Sequence, residues 1–101
     1  MIERLEANGR ELVLNFQDPL TEELRMHFRR RMERALEESF QTITLEFSDV
    51  RVLSSSWIGS ILLFRGKLKE TGRTLRIRGC SRELHKVLLL IRLDTILPIE
   101  A

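Results

Sequence analysis

The chain has 101 residues, 43% of them apolar and 32% charged, and its 17 Lys and Arg against 15 Asp and Glu leave a net charge of +2. That mix excludes a disordered chain, and the length supports one hydrophobic core, which excludes a second domain. The longest apolar run, Val87 to Ile91, falls far short of the roughly 20 residues of a membrane-spanning helix, and the single cysteine, Cys80, excludes an internal disulfide.

In chain order, Met1 to Glu6 is mixed in charge and lacks the apolar core of a signal peptide. With a lone cysteine, this predicts a reducing cytoplasm. Asn8-Gly9 tolerates the positive φ angles of a type I′ turn and predicts a β-hairpin, whose second arm alternates Leu12, Leu14 and Phe16 with Glu11, Val13 and Asn15. Asp18-Pro19 ends that strand. Thr21 to Phe40 reads as a helix, with Thr21 as N-cap and Leu24, Phe28, Met32, Ala35, Leu36 and Ser39 on one arc. The triplet Arg29-Arg30-Arg31 reads either as a phosphate-binding patch or as a solvated face with the i,i+4 pairs Arg29–Glu33 and Arg34–Glu38, and the interleaved acids favour the second.

Thr42 to Phe47 alternates as a strand with Ile43, Leu45 and Phe47 inward. A second helix, from about residue 56 to 70, is opened by Ser54-Ser55-Ser56 and closed by Thr71-Gly72. Thr74 to Arg78 alternates again. Ser81 caps a third helix carrying Leu84, Val87, Leu88 and Ile91, and Leu93 to Ile99 is an apolar tail able to pack. The order β-β-α-β-α-β-α places right-handed parallel crossovers after the hairpin. Strands apolar on one side only predict helices mainly on one face of a mixed sheet of about four strands, with Asn15, Thr44, Glu46, Arg76 and Arg78 on the other.

No catalytic arrangement is visible, so no enzyme, metal or cofactor is expected. His27 and His85 lie on separate helices without metal-ligand spacing, and there is no Gly-rich phosphate loop or nucleophile elbow. Cys80, just before a helix start, reads as a thiol of lowered pKa or, more simply, as a small apolar filler. Arg73, Arg76, Arg78 and Arg82 around the last strand raise nucleic-acid binding, but Glu46 and Glu83 dilute them and no nucleic acid is expected.

The serine run at a strand-to-helix junction is the most informative feature, because a helix N-terminus presents free N–H groups and a partial positive charge. The stretch Leu45 to Leu62 resembles the signature of STAS domains, the domains of sulfate transporters and anti-sigma-factor antagonists. There, an apolar strand and a short turn lead into Asp-Ser-Ser-Gly-Leu-Gly at a helix start. Glu46-Phe47-Ser48 matches the strand end and Ile58-Gly59 the Leu-Gly pair. Lys69 to Gly72, Ser81 to Leu84 and Leu93 to Ile99 extend the resemblance over residues 1–101 as a single STAS-like α/β domain.

The resemblance implies a bacterial protein-binding regulator. In the antagonists, a serine-kinase-type anti-sigma factor phosphorylates the second motif serine. Ser56 holds that position here and Ser55 the first. Ser54 stands where the family has Asp, Trp57 where it has Gly, and Arg92 where a turn Gly precedes Leu93. The alternative is a STAS-like subunit of a larger assembly, a lipid-transport complex or stress-signalling particle, without a phospho-switch. Direct membrane insertion is not expected, and a homodimer stays open. The expected partner surface is Ser54, Ser55, Ser56, Trp57 and Phe64. Trp57, Ile61, Phe64 and Leu68 share one helical stripe, but Ile58 and Leu62 match the family's buried positions. Trp57 and Phe64 are therefore expected at the edge of the apolar arc as a partly exposed aromatic patch, the other reading being that both are core.

Overall fold

A computed structural model describes all residues, 1–101. The elements run β1 (Ile2–Glu6), β2 (Glu11–Gln17), α1 (Glu22–Leu36), β3 (Thr42–Asp49), α2 (Ser55–Glu70), β4 (Thr74–Arg78) and α3 (Arg82–Leu90), followed by a 3-10 turn, Leu93–Thr95. The sheet order is β1-β2-β3-β4, with β1 antiparallel to β2 and the rest parallel. The hairpin is as expected, but its connection is four residues, with Ala7, Asn8 and Gly9 all at positive φ and Glu6 paired with Glu11.

Leu12, Leu14 and Phe16 of β2, Ile43, Leu45 and Phe47 of β3, and Leu75 and Ile77 of β4 are buried in one apolar cluster with residues from all three helices. Val13 is fully buried but lies outside that cluster, on the opposite side of the sheet, so the helices occupy one face as the alternation required. The chain's end also packs as expected. Leu93 and Leu97 are buried, and Ile99 bridges to Ile77 at the free edge of β4.

Three features differ from the sequence reading. Helix α1 stops at Leu36, four residues short of Phe40, because Arg73 takes over the carbonyls at its end: its guanidinium donates to the oxygens of Ala35, Leu36 and Glu38 at 3.0, 2.8 and 2.9 Å. The pairs Arg29–Glu33 and Arg34–Glu38 do not form. Arg31 is instead buried and reaches Glu3 and Glu38, at 2.8 and 2.6 Å. In α3 only Leu84 and Leu88 are buried, while Val87 and Ile91 stand 50% and 49% exposed, because the helix has nine residues and turns away at Arg92.

Gly72 occupies the left-handed position after α2, φ 74, with Arg73 N–H bonded back to the Leu68 carbonyl. Arg92 fills the corresponding role after α3 at φ 60, with no side-chain cap. A side chain in that region costs about 1 kcal/mol relative to glycine, so Arg92→Gly is expected to raise stability by about 0.5–1 kcal/mol. Thermal denaturation reads this directly, and an unchanged or lowered Tm would contradict it.

Candidate functional site

The helix-free face carries a lattice of ion pairs. Arg4 meets Glu6 and Glu46, each at 2.8 Å, and Arg78 meets the same two carboxylates at 3.3 and 3.2 Å. Arg76 meets Glu11 at 2.8 Å and Glu100 at 3.5 Å. Thr44, fully buried, donates its hydroxyl proton to Glu11 and accepts from Arg76 Nε at 2.8 Å. The cations of β4 are thus matched by carboxylates, and Arg73 is spent on helix carbonyls, so they do not form the free basic surface a polyanion needs.

Burial pushes the Glu11 carboxyl up, but bonds from Thr44 and Arg76 outweigh it and hold it below the ordinary 4.5. Glu46 is likewise raised by burial and, more strongly, lowered by Arg4 and Arg78. A carboxylate lowered in the folded state adds stability above its unfolded pKa and loses it as pH falls through the folded value. The Tm is therefore expected to hold down to about pH 5 and drop below about pH 4.5, with a shallower acid limb in Glu46→Gln. A Tm flat from pH 5 to pH 3 would contradict this.

Cys80 is the filler of the two readings. It is 6% exposed, and burial pushes its thiol up to about 11, which keeps it protonated and unreactive. His27 is exposed on α1 and His85 half-buried on α3, and no cluster of three metal-ligating side chains exists.

The serine run is built as follows. The chain leaves β3 at Asp49 and turns through Val50, buried, and Val52, 72% exposed. The turn is tied to the end of β2, where Asp18 Oδ2 accepts from Arg51 N–H at 2.9 Å. Ser54 is the N-cap of α2: its hydroxyl oxygen accepts from Trp57 N–H at 3.3 Å. The cap that the family assigns to Asp is thus supplied by serine, and α2 begins at Ser55, one residue earlier than expected. Ser55 and Ser56 fall in the first turn, exposed, with no hydrogen bond from either hydroxyl. That turn contains no acidic residue, so no side chain of its own offsets the positive end of the helix dipole.

Trp57 and Phe64 correct the sequence reading. Both are core, at 1% and 0% exposure. Trp57, Ile61, Phe64 and Leu68 form the buried stripe, and Ile58 and Leu62 are only half-buried. The indole packs edge-on against Phe16, 5.6 Å between centroids, and beside Phe28 at 5.4 Å. Its Nε1–H donates to the carbonyls of Leu20 and Thr21 at 3.1 and 3.3 Å. Thr21 is the N-cap of α1, so the indole fastens the starts of the two helices together. Ser60, also buried, accepts from Arg25 as a second tie.

The ring therefore points inward and does not stand beside the exposed serines. The site the structure assembles is Ser54, Ser55 and Ser56 outside and Trp57 beneath. Val52, in the turn that leads to the serines, is exposed, and the sequence marks it only as an apolar residue in a short inter-element loop.

The family profile described as "Mlab, STAS domain" matches residues 3–98. Among curated proteins none matches. The fold is shared with TM1081 of Thermotoga maritima, at 19% identity and TM-score 0.82 over 99% of this chain and 85% of that one. It is also shared with the anti-sigma factor antagonist SpoIIAA of Bacillus in its unphosphorylated form, at 19% identity and TM-score 0.79 over 99% and 89%. A sulfate transporter family protein from Wolinella succinogenes matches at 14% identity and TM-score 0.73 over 96% and 80%. With the profile spanning nearly all of its length, the chain belongs to the STAS domain family described as Mlab.

Proposed function

We propose that this protein is a non-enzymatic cytoplasmic regulator that binds a protein partner through the first turn of α2, with Ser56 as phosphate acceptor and Ser55 as the alternative. The observation that carries this reading is the pair of exposed, unbonded hydroxyls on a helix start without acids, over an indole locked into the core. A kinase-type anti-sigma factor is the partner class that this geometry suits. SpoIIAA, a relative in fold, has an unphosphorylated and a phosphorylated form.

Phosphate at this position adds about −1.5 to −2 charges beside free N–H groups, which the helix start tolerates. Ser56→Asp is accordingly expected to leave the Tm within a few degrees while partner capture falls about tenfold or more. Mass spectrometry of protein from its native host tests the acceptor. Phosphate on Ser56 supports the switch, and its absence from Ser55 and Ser56 under every growth condition contradicts it.

A second reading, a STAS subunit of a transport assembly without a phospho-switch, draws on the fold shared with a sulfate transporter family protein. Stable co-purification with membrane-transport subunits, with both serines unmodified, would favour it.

A further inference from the structure

Strand β1 is attached differently from the rest of the sheet. Four of its five side chains are exposed, including Ile2 at 68% and Leu5 at 60%, and none belongs to the apolar core. Its neighbour β2 buries Leu12, Val13, Leu14 and Phe16 completely. Every long-range side-chain hydrogen bond or ion pair of β1 is ionic. Glu3 receives Arg31 at 2.8 Å on the helix face, and on the open face Arg4 reaches Glu46 at 2.8 Å and Glu6 receives Arg78 at 3.3 Å. The turn that returns β1 to β2 holds three successive residues at positive φ, two of them not glycine.

We propose that β1 is an electrostatically latched strap: raised ionic strength releases it as a unit while β2, β3, β4 and the helices stay folded, baring the outer edge of β2. The reasoning is a comparison of forces. In each of these long-range pairs the β1 member faces water, with Glu3 and Arg4 48% and 44% exposed, while its partner is largely buried. Such half-exposed pairs weaken as the screening length shrinks from about 10 Å at 0.1 M salt to about 3 Å at 1 M, less than fully exposed pairs do, whereas apolar burial does not weaken. An element with little burial and several salt-dependent ties belongs at the low-stability end of the molecule. Free N–H and C=O groups along β2 would then form an edge able to pair with another strand.

The test is native-state hydrogen exchange of the full chain by NMR at one pH, in about 0.05 M and about 0.8 M sodium chloride. Amides bonded between β1 and β2 are expected to exchange at least about tenfold faster at high salt, relative to amides bonded between β3 and β4. The double variant Glu3→Gln/Arg4→Gln should show the same loosening already at low salt. Ile2→Ser/Leu5→Ser should leave β1 protection within about twofold. Equal acceleration of both ladders, no acceleration of either, or greater loosening in the Ile2/Leu5 variant than in the charge variant would overturn the proposal.

Discussion

Trp57→Ala is expected to destabilise the protein by about 3–5 kcal/mol, enough to leave a domain of this size near or below its folding threshold. The indole is 1% exposed and sits among Phe16 and Phe28, with Phe28 contacting Phe64 in turn. Truncation opens a cavity that those rings cannot refill without leaving their present geometry. It also removes the indole donor from the Leu20 carbonyl, while the Thr21 carbonyl keeps the Arg25 N–H. Trp57→Phe separates the two effects: it keeps most of the volume and loses the donor, and should cost about 1–2 kcal/mol. Chemical denaturation of the three proteins reads both. A Trp57→Ala protein within about 1 kcal/mol of wild type would contradict the burial.

The second large effect is expected at Arg73. Arg73→Met keeps the apolar stem and removes the guanidinium from the carbonyls of Ala35, Leu36 and Glu38, at an expected cost of about 2–3 kcal/mol. Two terms add here. The Leu36 and Glu38 carbonyls lose the guanidinium donor, while Ala35 keeps a backbone N–H, and the negative end of the α1 dipole loses its counter-charge. Arg73→Lys retains the charge without the planar fork that spans three acceptors, so it should recover only part of the loss. Equal stability of the lysine and arginine proteins would show that charge alone matters. A methionine protein as stable as wild type would contradict the capping role.

Much of this fold was legible because its strands carry a clean period of two with one apolar side. That pattern marks β2, β3 and β4 and the one-sided helices, and Asn8-Gly9 marks the hairpin. Thr21 and Ser81 are legible as caps for a similarly local reason, since each lies just before a helical apolar pattern, and both cap. At the second helix the sequence offers a run of three serines, and the structure assigns the cap to Ser54.

What escaped was set by partners far away in sequence. Nothing within α1 says that it stops at Leu36, because the group that ends it is Arg73, 37 positions on. Arg31 looked like a member of a basic surface triplet, and its burial depends on Glu3, 28 positions back. Trp57 was misplaced for a different reason. Its own stripe with Ile61, Phe64 and Leu68 is visible in the sequence, but the family resemblance points instead to Ile58 and Leu62 as the buried positions. The stripe was the better guide, because four apolar residues at i, i+4, i+7 and i+11 define a buried side on their own. The serines remained visible throughout, because exposed hydroxyls on a helix start need no distant partner to be placed.

The proposed docking surface, the first turn of α2, should act on partner binding without acting on the fold. Its most direct test is quantitative capture from host lysate on wild-type protein, Ser56→Asp and Lys67→Glu, the last a charge change on the same helix in its final turn. Each protein is first matched for Tm. One set of proteins is expected to be retained by wild type and by Lys67→Glu and depleted about tenfold or more on Ser56→Asp. Retention of that set on Ser56→Asp at wild-type levels would contradict this.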